Sequence, residues 1–83
     1  MQLTFYTKPL CPLCERLEDT IEEPIDQLIA AGEATYTKCD INDNPTWYDQ
    51  FWDRIPVLTC DDLPILEGNP SEDEITRAMR NLK

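Results

Sequence analysis

The sequence predicts an α/β domain with the element order β-α-β-α-β-β-α, on the strength of two patterns in its 83 residues. Short runs rich in β-branched and aromatic residues, which favour strands, alternate with segments in which apolar residues recur at steps of three and four, which favour helices. The first two strand-like runs lie about 25 residues apart, enough for a right-handed crossover, so they should be parallel neighbours. A chain of this length forms one small core, and we expect a single domain over residues 1–83.

The first strand is predicted at residues 2–7, QLTFYT, and it ends before Pro9. A helix should begin near Cys11 and stop at Gly32, a residue that favours helix ends. Because its apolar stripe keeps the same phase across Pro24, we predict one kinked helix, with two abutting helices as the alternative. The stripe consists of Cys14, Leu17, Ile21, Ile25, Leu28 and Ile29.

The second strand is predicted at residues 34–39, ATYTKC, and a short helix follows it. Asn44 should cap this helix, because its side chain can accept a backbone N–H, and Pro45 fits the first helical position. The apolar face of the short helix is predicted to consist of Trp47, Tyr48 and Phe51.

The third strand is predicted at residues 55–59, and a tight Asp-Asp turn leads to a fourth strand at residues 63–67. Pro64 cannot donate to a sheet ladder, which places the fourth strand at an edge of the sheet. Ser71 and Glu74 form a capping-box pattern at the start of a last helix. The apolar stripe of that helix is Ile75, Ala78, Met79 and Leu82.

The chain is strongly acidic, with a net charge of −10 and an isoelectric point near 4.1. Such a charge repels phosphate backbones and anionic lipid surfaces, so we expect neither a nucleic acid nor a membrane as partner. The amino-terminal residues lack the basic and long apolar segments of a signal peptide. We therefore expect a cytoplasmic protein in a reducing compartment, where paired cysteines are more often catalytic or metal-binding than structural.

Two of the four cysteines lie in the sequence Cys11-Pro12-Leu13-Cys14, at the junction of the first predicted strand and helix. A helix start offers free N–H donors and partial positive charge, so a cysteine there commonly has a pKa of about 3.5–7.5 instead of about 8.5. Lys8 adds positive charge, and Pro12 presets the first helical turn. We expect Cys11 to be the exposed nucleophile and Cys14 the more buried resolving thiol. A redox pair is favoured over a metal site or an inert buried pair.

Three segments resemble the glutaredoxin-like branch of the thioredoxin superfamily: FYTKPLCPLC at 5–14, CDINDNP at 39–45 and RIPVL at 54–58. The resemblance implies a thioredoxin-like (glutaredoxin-type) fold, with a four-stranded mixed sheet and three helices on its two faces. It implies a thiol–disulfide oxidoreductase that reduces protein or small-molecule mixed disulfides through Cys11 and Cys14. It also implies a cis peptide bond at Pro56, with the backbone of Ile55 pairing with an extended substrate segment.

Members of this family that bind glutathione usually carry a Gly-Gly turn before the last helix, and this chain has EGNPSED at residues 67–73. Glutathione binding is therefore an open question, although Lys8 and Arg54 can bind a carboxylate. The expected substrate-binding residues are Lys8, Pro12, Arg54, Ile55 and Pro56. We expect a monomer without bound cofactor or metal, with glutathione or a thioredoxin-type reductant as co-substrate. Its expected partners are disulfide-containing proteins or small thiols.

Four basic residues are expected near Cys11, where they would create a locally positive field that holds the thiolate, with chance scatter as the alternative. They are Lys8, Arg16, Lys38 and Arg54.

Cys39 is expected about 10 Å from Cys11, whereas Cys60 should lie about 13 Å down the sheet. A zinc site with four cysteines needs its sulfurs close together, so this topology excludes one. Two other functions stay open at this point. One is a non-catalytic adaptor with the same fold, and the other is a metal- or iron–sulfur-binding protein that uses Cys11.

Overall fold

The computed structural model describes residues 1–82, which form a four-stranded mixed sheet with helices on both faces. The observed element order is the predicted one. No helix within residues 1–82 is long and apolar enough to cross a membrane. The elements are β1 (Gln2–Thr7), α1 (Pro12–Ala30), β2 (Thr35–Asp40), a 3₁₀ turn (Ile41–Asp43), α2 (Pro45–Phe51), β3 (Val57–Cys60), β4 (Leu63–Glu67) and α3 (Glu72–Asn81).

The strands lie in the order β2-β1-β3-β4, so the first strand is central. β1 runs parallel to β2, as predicted, and the last pair of their register is Thr7↔Asp40. β1 runs antiparallel to β3, with Tyr6 opposite Val57 and Leu3 opposite Cys60. The carboxyl ends of β1 and β2 and the start of β3 therefore meet at one end of the sheet.

β4 is an edge strand, as Pro64 predicts, and a two-residue turn joins it to β3. Asp61 and Asp62 form this turn with φ values of 50° and 71°, both in the left-handed region that favours glycine. The Asp61 carboxylate accepts a hydrogen bond from the Gln2 backbone N–H at 2.8 Å, which ties the turn to the start of β1.

α1 is one continuous helix that passes through Pro24, so the prediction of a single helix is confirmed and the two-helix alternative is wrong. The buried residues of the helix are Cys14, Leu17, Ile21, Ile25 and Leu28. Ile29, predicted for the same stripe, is 43% exposed. It follows Leu28 by one residue, and a helix turns by about 100° per residue, which rotates Ile29 away from the sheet.

The caps of the two later helices agree with the sequence pattern. The Asn44 side chain accepts the Thr46 N–H at 2.9 Å, with Pro45 at the first position of α2. The Ser71 hydroxyl accepts the Glu74 N–H at 3.1 Å, and the Glu74 carboxylate accepts the Ser71 N–H at 3.2 Å. Both capping predictions are confirmed.

The apolar face of α2 is narrower than predicted. Phe51 is buried and Trp47 is half-buried, but Tyr48 is 47% exposed. The helix has only seven residues, and its one-turn spacing brings Trp47 and Phe51 to the sheet side together. Tyr48 therefore lies beside that face and not on it.

β3 begins two residues later than predicted, at Val57 instead of Ile55. The backbone N–H groups of Arg54 and Ile55 both donate to the Phe51 carbonyl, at 2.8 Å and 3.1 Å. These two bonds hold residues 54–55 to the end of α2, so the sheet ladder starts only after Pro56. β2 is shifted by a single residue from its predicted range of 34–39.

Each face of the sheet has its own apolar cluster. The larger cluster joins the sheet to α1 and α3, and the smaller one joins it to α2. The larger cluster contains Leu3, Phe5, Leu17, Ile21, Ile25, Leu28, Leu58, Leu66, Ile75 and Met79. The smaller contains Ile41, Phe51 and Val57, with Tyr6, Trp47 and Ile55 packed against it.

Candidate active site

Cys11 and Cys14 are joined as a disulfide at the amino-terminal end of α1, with their Cα atoms 5.2 Å apart. Cys11 is the N-cap residue, and its Sγ atom accepts a hydrogen bond from the Cys14 backbone N–H at 3.2 Å. Pro12 occupies the first turn, where its missing N–H costs nothing. The sulfur of Cys11 thus takes the place that a serine or aspartate oxygen takes in an ordinary helix cap.

Both cysteines are largely enclosed, which corrects the expectation of an exposed Cys11. Cys11 is 9% exposed and Cys14 is 2% exposed. The cap geometry explains the difference from the prediction, because it turns the Cys11 side chain back over the first helical turn, against the Cys14 N–H. The expected order of accessibility still holds, with Cys11 the more accessible sulfur.

An exposed apolar side chain immediately precedes the nucleophile candidate. Leu10 is 95% exposed, and its φ of 59° lies in the left-handed region, which costs a leucine about 1–2 kcal/mol. Leu13, between the two cysteines, is 41% exposed. Sequence reasoning missed Leu10, because nothing in its neighbours signals a positive φ at a leucine. Leu10 and Leu13 together give the cysteines an apolar rim.

The Ile55–Pro56 peptide bond is cis, as the family resemblance implies. Tyr6 pairs with Val57, so the next residues along the two strands are Thr7 and Pro56, at the end of β1 that leads to Cys11. The Gly68 N–H donates to the carbonyls of Pro56 and Arg54, at 2.8 Å and 3.2 Å. These bonds connect the loop before β3 to the turn after β4.

The backbone of Ile55 is only partly available to a substrate strand. Its N–H donates to the Phe51 carbonyl at 3.1 Å, so the expected pairing with a substrate segment can use its carbonyl but not its N–H. The strand addition expected at Ile55 would therefore rest on its carbonyl.

Arg54 is engaged within the chain. Its Nε atom donates to the Glu67 carboxylate at 2.6 Å, and a terminal guanidinium nitrogen donates to the same oxygen. The guanidinium carbon also lies 5.2 Å from the centre of the Phe51 ring. Arg54 was expected to bind a substrate carboxylate, and the structure instead gives it a carboxylate from β4. The two residues are 13 positions apart and meet only through the β3–β4 pairing.

The other basic residues do not join Arg54 in one cluster. The Lys38 ammonium lies 2.7 Å from the Glu18 carboxylate. Lys8 lies with Lys38, Asp40 and Asp43 along a cleft of about 330 Å³. Arg16 lines a different cleft of about 620 Å³, between α1 and the loop before α3. Two of the four basic residues are thus paired with carboxylates, so the four do not form the single cluster that was expected near Cys11.

The remaining cysteines lie at different ends of the sheet. Cys39 is next to Tyr6 in the β1–β2 register, whereas Cys60 is opposite Leu3, about 13 Å along β1 from Thr7 at about 3.3 Å per residue. Burial, then the nearby Asp43, raises the pKa of the Cys39 thiol, and burial, then Asp61, raises the pKa of the Cys60 thiol. Among residues 1–82, no three Cys, Asp or Glu side chains are grouped so that they could hold a metal ion.

Several solved structures share this fold at low sequence identity. Thioredoxin 1 of Thermosipho africanus matches with a TM-score of 0.67 at 15% identity, over 98% of this chain and 92% of that one. The germline-specific thioredoxin Deadhead of Drosophila melanogaster gives 0.67 at 16% identity, over 99% and 80%. Fasciola hepatica thioredoxin gives 0.65 at 14% identity, over 99% and 80%. A search of curated protein sequences finds no match. At these identities the matches establish a thioredoxin-like fold.

A family model extends the likeness from the fold to the sequence. The model of the glutaredoxin-like domain (DUF836) matches residues 2–80. That range includes the disulfide at the start of α1, the cis-proline loop and the capped last helix, so the segments that carried the resemblance fall inside one continuous match. The chain therefore belongs to the glutaredoxin-like family of the thioredoxin superfamily.

Proposed function

We propose that this protein is a thiol–disulfide oxidoreductase that reduces disulfides in protein substrates through Cys11 and Cys14. The observation that carries the proposal is the position of the Cys11 sulfur, at the cap of a 19-residue helix and within 3.2 Å of the Cys14 N–H. A helix of this length carries about half a positive charge at its amino end. That charge and the N–H stabilise a thiolate more than a thiol, and the thiolate is the attacking species.

The proposed reaction transfers two electrons from the cysteine pair to the substrate. The Cys11 thiolate attacks one substrate sulfur, which forms a mixed disulfide and releases the other substrate sulfur as a thiol after it takes up a proton. Cys14 then loses its proton and attacks the Cys11 sulfur, forming the Cys11–Cys14 disulfide and releasing the second substrate thiol. A thiol or dithiol reductant, of the glutathione or thioredoxin type, returns the pair to the reduced state.

The surface next to the disulfide favours protein substrates over small ones. Leu10, Leu13 and Trp52 are 95%, 41% and 57% exposed, and Trp52 ends the helix that leads into the cis-proline loop. Apolar side chains exposed beside a reactive group are typical of sites that contact another protein.

Lys8, Pro12 and the Ile55–Pro56 loop contact the substrate, and no cofactor or metal is bound. The protein acts as a monomer in the cytoplasm. Its co-substrate is a cellular thiol reductant.

Insulin reduction provides the test, because the separated insulin chains precipitate and scatter light. With dithiothreitol as reductant, the wild-type protein should accelerate precipitation, and Cys11→Ser should abolish the acceleration. Reduced Cys14→Ser that has been freed of dithiothreitol and then mixed with insulin should retain a covalent adduct with one insulin chain, visible as a mass increase that added dithiothreitol removes. Cys39→Ser is the matched control and should behave like the wild type. Acceleration that survives Cys11→Ser, or no acceleration by the wild type, would contradict the proposal.

A further inference from the structure

The Arg54–Glu67 pair lies at the same end of the sheet as the cysteines. Arg54 immediately precedes the Ile55–Pro56 loop, and Glu67 is opposite Val57, the residue after that loop. Tyr6 is opposite Val57 on the other side, and the chain reaches Cys11 five residues later. A substrate disulfide in contact with Cys11 and the cis-proline loop would therefore lie near this pair.

Glu67 neutralises the cation that otherwise would attract an acidic substrate. Two nitrogens of Arg54 donate to one Glu67 oxygen, so the guanidinium already has a carboxylate as partner in charge-assisted hydrogen bonds. The two side chains are 37% and 44% exposed, so they face the solvent from which a substrate arrives. An incoming carboxylate meets an occupied guanidinium on a body with a net charge of −10.

Phe51 keeps Arg54 in position independently of Glu67. The guanidinium carbon lies 5.2 Å from the ring centre, a cation–π distance, and the Phe51 ring itself stacks on Tyr6 with 4.3 Å between centroids. Without the Glu67 charge, the guanidinium would keep this support, and its N–H edge would be open to a ligand.

We infer that Glu67 is a specificity-determining residue that makes the site discriminate against disulfides carrying carboxylates near the reacting sulfurs. The substrate class is then disulfides in uncharged or basic surroundings. This inference rests on the proposed function, because it concerns which disulfides Cys11 attacks.

Three small disulfides that differ in charge provide the probes: dithiodipropionate, which is anionic, hydroxyethyl disulfide, which is uncharged, and cystamine, which is cationic. Reduced protein is mixed with each in a single turnover, in which one disulfide becomes two thiols and Cys11 and Cys14 become oxidised. The readout is the ratio of the rate constant for the anionic disulfide to that for the uncharged one. Comparison of this ratio between variants cancels the intrinsic reactivity of the probes.

In Glu67→Gln the ratio should rise about fivefold, the scale of a solvent-exposed ion pair, and the corresponding cystamine ratio should fall. In about 1 M salt, where the screening length is about 3 Å, the difference between variant and wild type should shrink. Glu33→Gln is the matched control. It removes the same charge from the loop between α1 and β2, at the opposite end of the sheet, and should leave the ratio at the wild-type value.

A Glu67→Gln protein that folds and shows the wild-type ratio would overturn the inference while leaving the oxidoreductase in place. A proportional change in all three rate constants would also overturn it, since this would indicate a structural role for Glu67. If the reduced wild-type protein is oxidised by none of the three disulfides and also fails to accelerate insulin precipitation, the proposed function fails, and the inference fails with it.

Discussion

The four cysteines of this chain differ in what surrounds each sulfur. Cys11 accepts an N–H at a helix start, and Cys14 follows it within the same turn. Cys39 and Cys60 lie on strands, next to Asp43 and Asp61, whose charges add to burial in raising the pKa of each thiol. A raised pKa leaves less thiolate at neutral pH, so the two strand cysteines should be poor nucleophiles.

This contrast predicts the pH dependence of alkylation in the reduced protein. Iodoacetamide should modify Cys11 faster than Cys39 or Cys60 at neutral pH, because the helix start stabilises the Cys11 thiolate. The rates at Cys39 and Cys60 should still be rising above the ordinary pKa of a cysteine thiol, because the pKa of each of these two thiols is raised. Mass spectrometry of the separate peptides measures each site. A Cys11 profile with the same midpoint as that of Cys39 would contradict a stabilised thiolate.

The β3–β4 turn gives a second prediction at this scale. Asp62 has a φ of 71°, which glycine adopts without strain, so Asp62→Gly should raise the free energy of unfolding by up to about 1 kcal/mol. Asp61→Gly is the matched comparison, because it relieves a φ of 50° but removes the carboxylate that binds the Gln2 N–H. Urea denaturation measures both. Equal gains from the two substitutions would show that the Gln2 bond contributes nothing.

Where α1 lies beside the edge strand β2, three carboxylates of the helix are close to a tyrosine of the strand. Tyr36 of β2 lies beside Glu18, Glu22 and Asp26 along a small cleft. Burial first, then the charges of Glu18, Asp26 and Glu22, raises the pKa of Tyr36 to about 12. The folded state therefore holds the phenol proton more tightly than the unfolded chain, whose tyrosines titrate near 10.

Stability should consequently fall in alkali. The contribution of Tyr36 is complete below about pH 10 and is lost as the pH rises through about 12, because the unfolded state releases the proton first. From about pH 9 to about pH 12, the free energy of unfolding should drop more for the wild type than for Tyr36→Phe. Urea titrations at several pH values measure the difference. Tyr48→Phe removes an exposed hydroxyl and should follow the wild type, and a Tyr36→Phe curve that does the same would contradict the assignment.

Most of the elements could be predicted from local pattern. Apolar periodicity and helix caps depend on residues that are close together in the sequence. Asn44, Ser71 and the apolar stripe of α1 therefore located three helices correctly. The start of β3 could not be predicted this way, because two N–H groups that a strand would use are taken by the Phe51 carbonyl. In the site, the cysteine pair and the cis-proline at Pro56 could be predicted from the sequence. The Arg54–Glu67 contact could not be predicted, since it depends on a strand register that contains an irregularity between Leu58 and Thr59.

In the whole molecule, the larger apolar cluster contributes most of the stability. Ile21 is 1% exposed within the larger cluster, so Ile21→Ala should cost about 2–5 kcal/mol, a large part of the roughly 5–15 kcal/mol typical of a folded domain. Leu63→Ala changes a side chain that is 70% exposed on the edge strand and should cost less than about 0.5 kcal/mol. Thermal and urea unfolding measure both. Similar losses at the two positions would contradict this account of the core.

The two ends of the sheet carry different structural features. The disulfide, the cis-proline loop and the Arg54–Glu67 contact occupy one pole, while the Asp61–Asp62 turn and the Gly32 loop after α1 occupy the other. Attachment of the protein to a support through the Asp61–Asp62 turn or the Gly32 loop would therefore leave the Cys11 sulfur facing away from the support. Grafted by that far pole to a bead or an electrode, the molecule would present every copy of its disulfide to the liquid in the same orientation.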